Sequence, residues 1–184
     1  MMADVRKAAA GVLAALRKRT LSATVVDDRR RKVQAYARAR RRRFDDAAVQ
    51  RWNDAPISTA RLTKGLNAKM ADDAIVVSEL VTSEEYLPAY MDVGTGAARR
   101  TNYTSSGGVL GWGVAAGIGA KIGRPDRQVV ALVGDGSLQF GIQALWSAVR
   151  YDVPLAVVVY NNGGYQANRK FLHLYGGRAA ATGK

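Results

Sequence analysis

The chain contains no cysteine and a single histidine, His173. The first absence excludes a disulfide framework and every thiolate metal site, and the second excludes a zinc centre built from several imidazoles. Any metal chemistry must use oxygen ligands. No apolar run approaches the roughly 18 residues needed to span a bilayer, and the N-terminus has neither the apolar core nor the small-residue cleavage site of a signal peptide. The expected location is cytoplasmic. A length of 184 residues suits one globular domain with a second short element, not two full domains.

What the chain does have is positive charge, a formal +13 with a pI near 10.4, and it is unevenly placed. Residues 1–55 carry 15 Lys and Arg against 6 Asp, whereas residues 56–184 carry 13 against 9 Asp and Glu. Glycine is skewed the other way, with 17 of 19 between Gly94 and Gly183. The chain therefore reads as a basic, glycine-poor leader and a glycine-rich, mildly charged body. A basic leader raises nucleic acid as a partner, but within its most basic run, Asp27–Arg51, stacking platforms are confined to Tyr36 and Phe44. A solvated linker helix is the favoured reading, and nucleic acid the non-enzyme alternative.

Val5, Ala9, Val12, Leu13 and Leu16 share one face of a helix opposite Arg and Lys. Asp27 to Arg51 is rich in helix formers with few apolar anchors. Pro56 ends the leader, and Ile57-Ser58-Thr59 opens a capped helix through Leu62, Leu66 and Met70. Ala74–Val77 predicts a strand, residues 107–122 a helix with small residues every three or four positions, Gln128–Val133 a second strand, Phe140–Tyr151 an amphipathic helix and Leu155–Tyr160 a third strand. Small residues at that spacing let a helix lie close to a sheet or a ligand. Continuous apolar strands joined through a helix point to α/β architecture, a parallel sheet with helices on both faces. Trp112 and Trp146 are core candidates, and His173 reads as a partly exposed structural residue.

Chemistry concentrates at the ends of two strands. One runs into Gly134-Asp135-Gly136-Ser137 and the next into Asn161-Asn162-Gly163-Gly164. In a parallel sheet this brings Asp135 and Asn162, 27 residues apart, to the carboxyl edge where open α/β sheets bind ligands. A carboxylate, an amide oxygen and a backbone carbonyl are hard donors suited to Mg²⁺ or Ca²⁺, and the open positions of an Mg²⁺ octahedron accept phosphate oxygens and water. The start of the helix at Gly136-Ser137 offers free N–H groups to an anion, and the glycines let backbone approach it. These residues specify a site for a magnesium-bound phosphate or diphosphate.

The GDGS and NN pair, with GGVLGWG upstream, resembles the diphosphate-binding (PP) domain of thiamine-diphosphate-dependent enzymes. Residues 56–184 are most similar to the acetolactate synthase and benzoylformate decarboxylase group, through ISTARL, SSGGVLGWGVAAGIGAKIG and RQVVALVGDGSLQFGIQALWSAVRYDVPLAVVVYNNGGY. The leader, residues 1–55, resembles the end of a central domain and a linker. The resemblance implies thiamine diphosphate and Mg²⁺ as cofactors, with Mg²⁺ held by Asp135, the Asn162 side chain and the Gly164 carbonyl. It implies that Gly136, Ser137, Thr82 and Ser83 hold the diphosphate, that the Gly108 carbonyl accepts from the aminopyrimidine, and that Leu110 lies beneath the bent cofactor.

The reaction class implied is decarboxylation or carboligation of a 2-oxo acid, the cofactor acting as electron sink. No catalytic residue is expected in this chain: in that family the glutamate that activates the pyrimidine lies in a Pyr domain, which residues 1–55 do not resemble, and Glu79, Glu84 and Glu85 lie on the wrong side to replace it. The resemblance further implies a PP domain that is incomplete at its C-terminal end, inactivity of the chain by itself, a homodimer or homotetramer for the intact enzyme, and exposed apolar surface along Leu155–Tyr160. A competing pattern, Gly111-Trp-Gly113-Val-Ala-Ala116, fits a dinucleotide fingerprint and a Rossmann-type oxidoreductase, but Asn102–Ser106 before it is polar and reads as no strand.

Overall fold

A computed structural model describes residues 4–20, 22–93 and 100–182. The chain divides into two compact units, Met1–Asp46 and Ala47–Lys184. In the first, α1 (Val5–Arg17) starts at Asp4, whose carboxylate accepts the Lys7 N–H at 3.0 Å. Helix α2 (Ala23–Gln50) follows. Its aspartates meet cations one turn away, Asp27 with Arg30 at 2.7 Å and Asp28 with Lys32 at 2.8 Å. Both leader helices stand where composition and periodicity placed them.

The second unit opens with α3 (Thr59–Lys69), capped by the Ser58 hydroxyl accepting the Arg61 N–H. Strand β1 (Ile75–Glu79) leads into a 3-10 turn at Val81–Tyr86 and the short α4 (Leu87–Tyr90). Then come β2 (Thr101–Thr104), α5 (Gly113–Gly123), β3 (Val129–Gly134), α6 (Asp135–Gly141), α7 (Ala144–Arg150), β4 (Ala156–Tyr160), α8 (Gln166–Tyr175) and α9 (Arg178–Thr182). The four strands form one parallel sheet in the order β2-β1-β3-β4. Ile75 stands beside both Thr101 and Val129, and Val130 beside Ala156.

Alternate side chains of the sheet feed two cores. Val76, Val130, Leu132 and Tyr160 pack with Leu62, Leu66, Met70 and Leu87 from α3 and α4. On the other face Ile75, Val77, Val129 and Val133 meet Trp112, Val114 and Ile118 of the α5 region. Helices therefore cover both faces, as the continuous apolar strands require. The small-residue helix does lie close to the sheet: a Cβ at Gly117 would sit 3.0 Å from Leu155 Cδ1 and 3.3 Å from Ala131 Cβ.

Arg100, 8% exposed, closes the end of α3. Its guanidinium donates to the carbonyls of Asn67, Met70 and Ala71 and to Asn67 Oδ1, at 2.6 to 3.1 Å. These are terminal helix carbonyls with no partner inside the helix. Across the same face the Tyr160 hydroxyl meets Thr63 Oγ1 at 3.0 Å, and burial pushes the Tyr160 phenol pKa up, partly opposed by the Thr63 hydrogen bond.

Four expectations are corrected. The polar segment after Arg100 does form a strand, β2, because an edge strand needs pairing on one side only and leaves Tyr103 and Thr104 exposed. Helix α5 starts at Gly113 and not at 107, since Gly108 (φ +64°) and Gly111 (φ +86°) hold the left-handed backbone of turns. The helix expected over Phe140–Tyr151 is two helices, the first starting at Asp135 and ending at Gly141, where a Cβ would collide with the Gly111 carbonyl oxygen. Trp146 is no core residue, being 67% exposed, whereas Trp112 packs on the sheet as expected. The exposed apolar surface expected along Leu155–Tyr160 is present only in part: Ala156 and Val159 are open to solvent, whereas Tyr160 is buried against Thr63.

Candidate cofactor site

Strand order places β1 first, β2 on one side of it and β3 on the other, so the carboxyl ends of β1 and β3 flank a topological switch point. A cleft of about 280 Å³ opens there. Its lining combines Leu80, Val81 and Thr82 after β1, Leu110 before α5, Gly134–Ser137 and Phe140 after β3, and Asn162 and Gly164–Asn168 after β4. Of the candidate residues, Thr82, Leu110, Asp135, Gly136, Ser137, Asn162 and Gly164 meet in this one cleft.

Hydrogen bonds tie the ends of β1, β3 and β4 together. The Gly164 N–H donates to Asp135 Oδ2 at 3.0 Å, and Asn162 Nδ2 donates to Thr82 Oγ1 at 3.1 Å. The second contact orients the Asn162 amide and leaves its oxygen as an acceptor. Gly163 N–H donates to Asn161 Oδ1 at 3.0 Å, and both Gly163 (φ +78°) and Gly164 (φ +132°) hold backbone that a side chain would strain. The Gly164 carbonyl accepts the Gln166 N–H at 2.8 Å and retains a second lone pair. Gly136 has its own reason: a Cβ there would come within 2.9 Å of the Tyr165 ring.

Ser83 and Gly108 lie outside that lining. Ser83 is buried in the 3-10 turn, its N–H bonded to the Leu80 carbonyl at 3.0 Å. Gly108 lines an adjoining cleft with Ser78, Glu79, Glu84, Thr104, Ser105 and Val109, and Leu80, Val81 and Leu110 line both. Val81 is a β-branched residue at φ +47°, a strained backbone of the kind that clusters at binding sites. Leu80, Val81, Phe140, Tyr165 and Gln166 escaped the sequence reading. Only the position of Tyr165 directly after the NNGG run could have singled one of them out.

The donor set is chemically specific. Among the described residues no group of three His, Cys, Asp or Glu side chains could hold a metal ion. One carboxylate with neutral amide and carbonyl oxygens suits a hard cation whose remaining positions are filled by an anionic ligand and water, the habit of Mg²⁺. Asp135, Gly136 and Ser137 are the first residues of α6, where backbone N–H groups have no helical acceptor. The residues present therefore fit a magnesium-bound diphosphate.

The same geometry speaks against the dinucleotide pattern. A strand does precede Gly111-x-Gly113-x-x-Ala116, contrary to expectation, but the N–H groups that such a fingerprint would turn to a pyrophosphate are already taken. Gly111 donates to Glu79 Oε1 at 2.6 Å and Gly113 to Glu79 Oε2 at 2.5 Å.

Comparison with known proteins points to a thiamine pyrophosphate enzyme. Residues 89–184 match the family described as "Thiamine pyrophosphate enzyme, C-terminal TPP binding domain". The chain is 46% identical over 69 residues to benzoylformate decarboxylase of Pseudomonas aeruginosa, covering 38% of this chain and 13% of that protein. It is 35% identical over 102 residues to the acetolactate synthase isozyme 3 large subunit of Escherichia coli, covering 55% of this chain and 16% of the relative. Among solved structures it resembles the thiamine diphosphate-dependent 4-hydroxybenzoylformate decarboxylase of Rhodococcus jostii RHA1, with a TM-score of 0.59, 38% identity, and 65% of this chain matched to 22% of that one. The chain thus spans less than a quarter of the length of each of these relatives.

Proposed function

The chain belongs to the thiamine pyrophosphate enzyme family through its C-terminal TPP binding domain, and from that premise we propose that it forms the cofactor-holding part of a 2-oxo acid decarboxylase or carboligase of the benzoylformate decarboxylase and acetolactate synthase kind. The observation that carries the proposal is the meeting of Asp135 and Asn162 in one cleft, each bonded to a further candidate residue, Gly164 and Thr82. Residues 56–184 are the diphosphate-binding region in this reading and residues 1–55 a helical linker.

Asp135, the Asn162 amide oxygen and the Gly164 carbonyl would hold Mg²⁺. The backbone N–H groups of Gly136 and Ser137, with the Thr82 hydroxyl, would hold the diphosphate. Ser83, buried in the 3-10 turn with its N–H on the Leu80 carbonyl, would support that loop from within. Leu110, 38% exposed between the two clefts, would bear the apolar underside of the pyrimidine, with the Gly108 carbonyl in the adjoining cleft available to its amino group. When bound, thiamine diphosphate supplies the electron sink for loss of the 2-oxo acid carboxylate as CO₂. The chain's own residues bind, orient and shield it. The 184 residues by themselves are proposed to bind cofactor without turnover, and the intact enzyme to be a homodimer or homotetramer.

Thiamine diphosphate with Mg²⁺ is expected to raise the melting temperature of the purified chain, and Asp135→Ala to abolish that rise. A folded chain whose melting temperature ignores millimolar cofactor and Mg²⁺ would refute the assignment. Pyruvate or benzoylformate turnover by the chain alone would refute the claim of inactivity and leave the binding site standing.

A further inference from the structure

We propose that Glu79 is a positioning residue for the cofactor's pyrimidine, acting by clamping the Gly108–Gly113 segment, and this rests on the cofactor reading above. Glu79 is the last residue of β1 and is 7% exposed. A carboxylate buried to that degree needs strong partners, since an unpaired buried charge is costly. Glu79 has two, and both come from one short segment: Gly111 N–H on Oε1 at 2.6 Å and Gly113 N–H on Oε2 at 2.5 Å. Charge-assisted bonds from two amides to the two oxygens of one carboxylate set the orientation of the segment as well as its distance. The second amide belongs to the first residue of α5, so the negative charge also lies at the favourable end of that helix.

The clamp has an opposite jaw. Gly111 stands against the end of α6, where a Cβ on it would fall 2.8 Å from the Phe140 carbonyl, and a Cβ on Gly113 would fall 2.9 Å from Val133 and 3.0 Å from Glu79. Glycine at 111 and 113 is thus required by close approach on both sides. Leu110 and Gly108, immediately before the clamped residues, are the two groups assigned to the pyrimidine, and Leu110 forms part of both clefts. Asp135, Asn162 and Thr82, assigned to the metal and the diphosphate, make no hydrogen bond to Glu79 among the described residues. Glu79 therefore controls one half of the cofactor site and not the other.

That split supplies the test. Dissociation constants for thiamine diphosphate with Mg²⁺ and for inorganic pyrophosphate with Mg²⁺ are measured by calorimetry on the full 184-residue chain, wild type and Glu79→Gln. Gln retains the size but replaces one acceptor oxygen with an NH₂ facing an N–H. The expected result is at least about tenfold weaker thiamine diphosphate binding, with pyrophosphate binding changed less than about twofold. Equal weakening of both ligands, or no weakening of thiamine diphosphate, overturns the proposal. If Glu79→Gln does not fold, Glu79→Asp, which keeps the charge and both acceptors on a shorter arm, must show the same selective loss. A wild type that binds pyrophosphate but gains nothing from the thiamine moiety defeats the positioning role alone. One that binds neither ligand defeats the cofactor reading beneath it.

Discussion

Helix α2 pairs Asp27 with Arg30 and Asp28 with Lys32 within one turn, at exposed or half-buried positions, and α1 has no buried residue, whereas β1 buries all five of its side chains and β3 all but its last. The ion pairs of α2 are local to the helix, which buries only Phe44 and Ala48, whereas the body is held by contacts between elements far apart in sequence. Charge follows the same division. Most of the +13 sits on the leader, while the candidate site turns on a single carboxylate, Asp135, and a clamp on another, Glu79. Net charge thus reports on a helix surface, and function is carried where charge is sparse and geometry is dense.

Substitutions can break or sharpen this contrast. Leu132→Ala empties a fully buried position of β3 and is expected to cost about 3–5 kcal/mol in denaturant unfolding. A cost under about 1 kcal/mol would mean the sheet core is not what holds the body. Arg100→Ala strips the carbonyls closing α3 of their donor, with an expected loss of about 2–3 kcal/mol by the same measurement. Tyr160→Phe removes the bond to Thr63 and is expected to cost about 1 kcal/mol near neutrality. It also predicts a pH signature. Burial raises the Tyr160 pKa, so the folded chain holds that proton more tightly than the unfolded one. Its contribution is present below about pH 10, the unfolded value, and is lost as pH rises through the raised folded value. The urea midpoint of the wild type should fall more steeply above about pH 10 than that of Tyr160→Phe. The smallest effect belongs to the leader: Asp28→Asn should lower helicity by less than about 0.5 kcal/mol, and less still in high salt. A change there comparable with Leu132→Ala would erase the contrast.

What was legible in the sequence follows the range of the interactions involved. Strands β1, β3 and β4 and helices α1, α2 and α3 were readable because apolar runs, period and caps such as Ser58 are local signals. The juxtaposition of Asp135 with Asn162 was readable because parallel βαβ topology leaves one edge for both. Strand β2 was not, since Thr101–Thr104 earns its state by pairing with Ile75–Ser78 and not by any apolar pattern of its own. The break after Gly141 and the late start of α5 share one cause, the approach of Gly111 to Phe140 and Gly141, which joins segments about 30 residues apart. Lone glycines do not announce such a partner.

The sequence by itself determined the fold class, the edge of the sheet that carries the site, and a hard-oxygen donor set in a chain without cysteine and with one histidine. Periodicity and donor chemistry are properties of residues and their immediate neighbours. Only the tertiary structure decided that Glu79 is occupied by Gly111 and Gly113, that Leu110 lines two clefts, and that Ser83 is buried within the 3-10 turn. Each of those outcomes depends on which distant backbone comes within hydrogen-bonding or van der Waals range, and that is settled when the helices close over the sheet.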